Sequence, residues 1–196
     1  TTLFRSLKQS RVCRHVHMAL QSGSDMVLAR MGRRYTTDEF RDAIIRLRTA
    51  VPSIAITTDV MVGFPGETEA EFDEGYRFCE EMGFAGLHLF PYSNRPGTSA
   101  FSMNKQITSV SINERMDRMR LLAHEASSKF RRQFVGSHLE VLWEEEVIIG
   151  GVSFWSGFSD NYIKVYCNDS SLTANQISSV FVFGEISKGL LAQADT

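Results

Sequence analysis

The hydrophobic positions in the first two-thirds of the chain alternate between strand spacing and helix spacing. Residues 54–62 form a β-branched, mostly apolar run, which is typical of a strand buried on both faces. Shorter runs at 15–20 and 87–90 predict two more strands, the second also buried. One helix face is indicated by the i, i+3, i+4, i+7 spacing of Phe40, Ala43, Ile44 and Leu47. The repeated order of strand, loop and helix predicts an α/β fold with a parallel sheet and crossover helices.

Three capping boxes predict where helices begin. In this motif a Ser or Thr hydroxyl accepts a hydrogen bond from the backbone three residues on, and a Glu at that position reaches back. The pairs are Thr36 with Glu39, Thr68 with Glu71, and Ser111 with Glu114. The third helix is long and amphipathic, and we expect it to end at Gly136.

The pattern changes after Gly136. Short β-rich stretches then alternate with Gly, Ser, Asn and Asp, and they lie at Leu139–Trp143, Phe154–Ser159, Tyr162–Tyr166 and Val180–Phe183. This predicts a small antiparallel barrel of about 60 residues. The sequence therefore divides into two predicted domains, residues 1–136 and residues 137–196.

Charge follows the same division. Residues 1–136 carry 19 Lys and Arg against 15 Asp and Glu, a net charge of +4, whereas residues 137–196 carry two Lys against eight acids, a net charge of −6. The 43% apolar and 22% charged composition is that of a globular protein, and no apolar run reaches the roughly 18 residues of a membrane helix. The basic first part is either a solvated surface or a phosphate-facing one.

Three unusual loops follow the predicted strands, and parallel strands bring such loops to one edge of the sheet. They are Gln21–Ser24, Gly63–Thr68 and the loop around Arg95. Arg95 lies between Asn94 and Pro96, so it suits either an anionic ligand or a structural ion pair. Asp59 falls inside an apolar strand, where a buried carboxylate needs a partner or a ligand.

The histidines and cysteines give no clear metal site. His15 and His17 are two residues apart on a strand and share a face. They suit metal binding, acid–base chemistry or a structural pair, and the same alternatives apply to His88. No third ligand is close in sequence, and we predict no metal ligands. The cysteines lie far apart at positions 13, 79 and 167, which fits small apolar residues in a reducing, cytoplasmic protein.

The motifs taken in order resemble the radical S-adenosylmethionine methylthiotransferases. They are Cys13–His17, Leu20–Asp25, Arg33–Thr36, Thr58–Thr68 and Phe90–Thr98. The CRHxH, RRYT and FPYSxRPGT runs, with Asp160–Ile163, are most similar to the branch that modifies tRNA threonylcarbamoyladenosine. The branches acting on isopentenyladenosine tRNA or on a ribosomal protein are alternatives, as is a non-catalytic RNA-binding module.

The resemblance implies the carboxyl-terminal half of a partial (β/α) barrel followed by a TRAM barrel. The implied activity is radical insertion of sulfur and a methyl group into N6-threonylcarbamoyladenosine next to the anticodon, with S-adenosylmethionine and two [4Fe-4S] clusters as cofactors. The family's CxxxCxxC motif is absent here, so we expect a carboxyl-terminal fragment that is inactive alone. The expected partners are tRNA and the amino-terminal half of the same protein. Unpaired sheet edges also favour a homodimer, and we expect no membrane association.

The resemblance also suggests which residues bind ligands, without identifying a catalytic residue. The predicted S-adenosylmethionine rim is Gln21, Ser22, Gly23, Ser24, Asp59, Gly63, Pro65 and Glu67, with Phe90, Tyr92 and Ser93 near its adenine. Predicted substrate contacts are Arg34, Arg95, Tyr162 and Lys164. Glu67 has an alternative as a local helix cap, since a carboxylate is favoured there. Ala19 stands where the family often has Pro.

Overall fold

The computed structural model describes residues 12–194. These residues form two compact units. The helical unit comprises Val16–Thr49 and Ile56–Ser127, and the barrel unit comprises Ser128 onward together with Ala50–Ala55 and the residues up to His15. Among the described residues, no helix combines the length and the apolar character that crossing a membrane requires.

A three-stranded sheet with the order β1-β2-β3 organises the helical unit. The strands are β1 (His15–His17), β2 (Ala55–Val62) and β3 (Gly86–Pro91). β2 and β3 are parallel, with Asp59 opposite His88, and Gln21 forms a parallel bridge to Val60. The predicted parallel sheet is confirmed.

Four α-helices accompany the sheet: α1 (Asp25–Arg30), α2 (Thr37–Ala50), α3 (Glu69–Met82) and α4 (Ser109–Arg132). The capping boxes before α2 and α3 are confirmed, because each Thr hydroxyl accepts from the backbone three residues on and the Glu side chain accepts from the Thr amide. The third predicted box is wrong. Thr108 Oγ1 accepts from Ser111 N at 3.2 Å, so α4 begins two residues earlier than Ser111.

Only one face of β2 is buried, so the prediction of burial on both faces is wrong. Its residues alternate: Ile56, Thr58, Val60 and Val62 are buried, and Thr57, Asp59 and Met61 are half-exposed. β3 is likewise half-exposed or exposed along its length. We call the accessible side of the sheet the open face; it carries His17, Thr57, Asp59, Met61, His88 and Phe90.

The barrel unit contains a closed barrel with the order β4-β5-β6-β8-β7. Its strands are β4 (His138–Ile149), β5 (Val152–Ser159), β6 (Lys164–Cys167), β7 (Ile177–Ile186) and β8 (Gly189–Ala194). The predicted barrel is confirmed, but β8 was not predicted. β8 pairs in parallel with β6, so the barrel is not purely antiparallel. The interior includes the fully buried Val141, Trp143, Val165, Val180 and Leu190.

The last turn of α4 belongs to the barrel unit and is tied to β7 by Glu185. The Glu185 carboxylate accepts from Arg132 Nε at 2.7 Å, Arg131 Nη2 at 2.9 Å and Ser128 Oγ at 3.1 Å. Burial acts to raise the pKa of Glu185, but these donors outweigh it and hold that pKa below its ordinary value. The connection holds the carboxyl-terminal end of α4 against β7.

Candidate functional site

The loops after the three parallel strands meet at one edge of the sheet. Gln21 N donates to Asp59 O, and Gln21 O accepts from Met61 N, both at 2.8 Å. Tyr92 N donates to Val62 O at 2.8 Å. These bonds hold the starts of the first and third loops beside the end of β2.

The first loop combines buried hydroxyls with one accessible amide. Gln21 adopts a left-handed backbone with φ of 66°, and its side chain makes no hydrogen bond with residues 12–194. Ser22 Oγ accepts from Ser24 N, whereas the fully buried Ser24 Oγ has no hydrogen-bond partner among the described residues. A Cβ on Gly23 would lie 2.9 Å from Gly75 Cα, so this glycine is needed for close packing on α3.

The second loop is held together from inside by Glu67. This side chain is 4% exposed, and its Oε2 accepts from Gly63 N at 2.9 Å and from Arg115 Nη1 at 2.8 Å. Burial raises the pKa of Glu67, and the contacts with Gly63 and Arg115 oppose that rise. Pro65 is also buried, and a Cβ on Gly63 would lie 2.5 Å from Ile112 Cγ1. Gly63, Pro65 and Glu67, which were predicted to face a ligand, are therefore packed against other parts of the protein.

The third loop is more exposed. The Tyr92 ring packs edge-on against Phe64 at 5.6 Å, and its hydroxyl donates to Asn94 Oδ1 at 3.2 Å. Ser93 is exposed, and so are the guanidinium groups of Arg34 and Arg95. Neither arginine side chain forms an ion pair or hydrogen bond with residues 12–194, so the structural ion pair considered for Arg95 is not found there.

Asp59 lies on the open face and not in the core. Its side chain is 29% exposed, and Oδ2 is 3.3 Å from His17 Nε2. His17 Nδ1 is 3.1 Å from Thr57 Oγ1, and the His88 ring lies 5.6 Å from the His17 ring. The expectation of a buried carboxylate is wrong because β2 exposes every second residue. That period-two alternation is the sequence signal that could have grouped Asp59 with His17.

An aromatic stack lies on the barrel unit around Tyr162. This residue has φ of 63° and is 63% exposed. It stacks at 5.0 Å on Phe158 and at 5.0 Å on His15. Lys164 Nζ lies 5.5 Å from the centre of the Phe158 ring. Tyr162 and Lys164, both predicted to contact RNA, thus lie around one aromatic ring.

The thiols do not form a cluster site. Among residues 12–194, no three His, Cys, Asp or Glu side chains are grouped so that they could hold a metal ion. Cys79 is fully buried, which raises its pKa to about 12, and burial also raises the pKa of Cys167. Iron–sulfur clusters bind thiolates. The described residues therefore do not fit an iron–sulfur cluster.

The sequence has clear relatives. Residues 2–79 match the Radical SAM superfamily. The threonylcarbamoyladenosine tRNA methylthiotransferases MtaB of Bacillus subtilis and Thermotoga maritima are 41% and 38% identical, over 81% and 80% of this chain. A tRNA-2-methylthio-N(6)-dimethylallyladenosine synthase of Frankia alni is 47% identical over 68% of this chain.

These matches point to a class of radical enzyme. Residues 2–79 match the radical SAM superfamily, and about four-fifths of the chain is homologous to methylthiotransferases. The chain spans about a third of the length of the curated relatives it matches, 35% and 36% for the two MtaB proteins and 27% for the Frankia synthase. Full-length members of the superfamily use S-adenosylmethionine and iron–sulfur clusters, as the resemblance implied.

Proposed function

We propose that the protein carrying this chain is a tRNA methylthiotransferase that modifies N6-threonylcarbamoyladenosine. The observation that carries this proposal is the identity of 41% and 38%, over about four-fifths of the chain, to two relatives named for that reaction. The gathering of the three strand-end loops at one sheet edge supports it, since sites of parallel α/β folds lie there.

S-adenosylmethionine would bind at this edge. When bound, it supplies a radical initiator and a methyl group. Gln21, with a free side-chain amide, and Ser24, with an unpaired buried hydroxyl, are the polar groups of the first loop that fit it. Ser22 orients the backbone of Ser24, and Gly23 lets the loop approach α3. Glu67 shapes the second loop from inside.

The tRNA would contact each unit through different chemistry. In the helical unit, Arg34 and Arg95 have no protein partner among residues 12–194 and suit phosphate. In the barrel unit, the exposed Tyr162 ring and Lys164 suit an unpaired base. Because the barrel sequence has a net charge of −6, we assign most of the phosphate contact to the basic part of the chain.

Replacing Arg95 with alanine is expected to weaken binding of the tRNA anticodon stem-loop, because one phosphate contact is lost. The expected loss is about threefold to tenfold, and the slope of log K against log salt should fall by about one. Fluorescence anisotropy at several salt concentrations measures both. Arg46→Ala is the matched control, since Arg46 is also exposed and unpaired among residues 12–194, but lies on α2. Equal losses in the two variants would contradict a specific role for Arg95.

Nucleoside mass spectrometry tests the reaction. A strain lacking the gene for the complete protein should lose methylthio-threonylcarbamoyladenosine and accumulate its unmethylthiolated precursor. The Frankia relative favours a second candidate, methylthiolation of dimethylallyladenosine tRNA. Loss of that nucleoside instead would select this second candidate. If neither nucleoside changes, a non-catalytic RNA-binding role is the better description.

A further inference from the structure

An ion pair between Arg30 and Glu71 connects the first loop to the second. Arg30 is the last residue of α1, and α1 begins directly after Ser24 at the end of the first loop. The Arg30 guanidinium donates to both carboxylate oxygens of Glu71, from Nη1 to Oε1 at 2.9 Å and from Nη2 to Oε2 at 2.7 Å. Two parallel hydrogen bonds fix both the distance and the orientation of the pair, which a single contact would leave free.

Glu71 also holds the end of the second loop. It lies in the first turn of α3, and the Oε2 atom that binds Arg30 also accepts from Thr68 N at 2.8 Å. The side chains of Arg30 and Glu71 are 29% and 15% exposed. The hydrogen bond from Arg30 lowers the pKa of Glu71 to about 2, so the carboxylate is ionised at neutral pH. One carboxylate therefore joins the helix after the first loop to the cap of the helix after the second.

The first loop also contacts α3 one turn further along that helix. A Cβ on Gly23 would lie 2.8 Å from Phe78 Cβ and 2.9 Å from Gly75 Cα, so the loop lies directly on the helix there. Glu71, Gly75 and Phe78 follow the i, i+4, i+7 spacing of one helix face. Because α1 has only six residues, it is too short to be stable alone, and these contacts determine where it lies. The first loop and α1 are thus attached to one face of α3 by packing at Gly23 and by the ion pair at Arg30.

We propose that Arg30 and Glu71 are positioning residues for S-adenosylmethionine, and that their ion pair sets the spacing between the first loop and the second. This inference rests on the proposed function, in which both loops border the cofactor. Neither side chain would contact the cofactor itself. The effect on binding comes from geometry, since a shift of about 1 Å in the groups that hold a ligand can cost a factor of about ten or more.

A second ion pair on α3 provides a matched control. Arg41 on α2 donates to both oxygens of Glu81, in the last turn of α3, at 3.1 Å and 3.2 Å. The Arg41 side chain is 30% exposed, against 29% for Arg30, so the two arginines differ mainly in which end of α3 they bind. A role for Arg30 in general stability predicts the same effect from both arginines. The positioning role predicts that S-adenosylmethionine binding depends on Arg30 and not on Arg41.

S-adenosylmethionine binding to the complete protein with its iron–sulfur clusters reconstituted, measured by equilibrium dialysis, tests the assignment. Arg30→Ala should raise the dissociation constant about tenfold, because α1 and the first loop lose one of two attachments to α3. Arg41→Ala should leave it within about twofold of the wild type. Arg30→Lys, which keeps the charge but cannot bind both oxygens in parallel, should recover part of the affinity. Binding of the tRNA anticodon stem-loop should not change in these variants.

A double-mutant cycle tests whether the two residues act as a pair. Glu71→Gln keeps an acceptor for Thr68 N but loses the ion pair, so it should weaken S-adenosylmethionine binding about as much as Arg30→Ala. The double variant should lose no more than either single variant, because one interaction is removed in all three. Arg30→Lys and Glu71→Gln carry the test if Arg30→Ala does not fold.

Several results would overturn the inference. They are wild-type S-adenosylmethionine affinity in Arg30→Ala, equal losses in Arg30→Ala and Arg41→Ala, and additive losses in the double variant. A parallel fall in stem-loop affinity would also overturn it, because that result indicates general loosening of the helical unit. If the wild-type protein does not bind S-adenosylmethionine, the proposed function fails instead.

Discussion

Replacing Arg115 with leucine is expected to destabilise the helical unit by about 3–5 kcal/mol at neutral pH, because it leaves a buried carboxylate without its cation. The Arg115 and Glu67 side chains are only 8% and 4% exposed. Arg115 also donates to the backbone carbonyl of Glu67 at 3.2 Å, so the loop between β2 and α3 loses two contacts at once.

The loss of unfolding free energy in Arg115→Leu should increase as pH rises. Burial places the pKa of Glu67 above its ordinary value, so this group favours the folded state at low pH and loses that contribution as pH rises through the folded pKa. Removing Arg115 takes away an interaction that lowers this pKa, which raises it further. The difference in stability between the variant and the wild type should therefore grow as pH rises through the folded pKa of Glu67 and shrink as pH falls below it.

The two units can be observed separately, because both tryptophans, Trp143 and Trp155, lie in the barrel. When Arg115→Leu is denatured with urea, the helical circular dichroism signal should show a lower unfolding midpoint than in the wild type. The midpoint reported by tryptophan fluorescence should not change. Arg120→Leu is the control. Arg120 is 60% exposed, and its one ion pair within residues 12–194 is with Asp117, so its loss should cost less than about 1 kcal/mol. A deficit that grew as pH fell would contradict the account of Glu67.

Replacing Gly157 with alanine is expected to destabilise the barrel by about 3 kcal/mol or more, because the added carbon has no room. Its Cβ would lie 2.2 Å from the backbone oxygen of Leu142 on β4. Backbone in the middle of a paired strand cannot move aside without breaking ladder bonds, so the strain would fall on the β4–β5 pairing.

Gly184→Ala is the matched control for Gly157→Ala. Gly184 lies on β7 of the same barrel, and a Cβ at this position would meet no atom within 4 Å. Its effect should stay within about 0.5 kcal/mol. Tryptophan fluorescence in urea measures both variants, and similar midpoints for the two would refute the steric argument.

Features set by neighbours in sequence could be predicted, and features set by distant residues could not. The caps at Thr36 and Thr68 depend on hydrogen bonds across three residues, so the pattern was sufficient. Thr108 displaced Ser111 as the cap because both can supply the hydroxyl, and the local pattern does not decide between them. β8 was missed because Gly189–Ala194 contains no β-branched residue and becomes a strand by pairing with β6 and β7.

In the candidate site, the arrangement of the loops could be predicted from the sequence, and the partners of individual side chains could not. The meeting of the three loops at one edge follows from parallel strand order, which the alternation of strand and helix predicts. The partners of Glu67 and Asp59 do not follow from it. Arg115 is 48 residues from Glu67, and His17 is separated from Asp59 by a complete helical crossover. The ligand roles of the loop residues stay predictions.

The position of β8 between β6 and β7 limits when the barrel can form during synthesis. The ring of strands has a gap until Gly189–Ala194 has left the ribosome, because β6 and β7 contact each other only through that last strand. Nascent chains released or stalled before β8 would expose the sheet edges of β6 and β7, and would be substrates for chaperones or proteases.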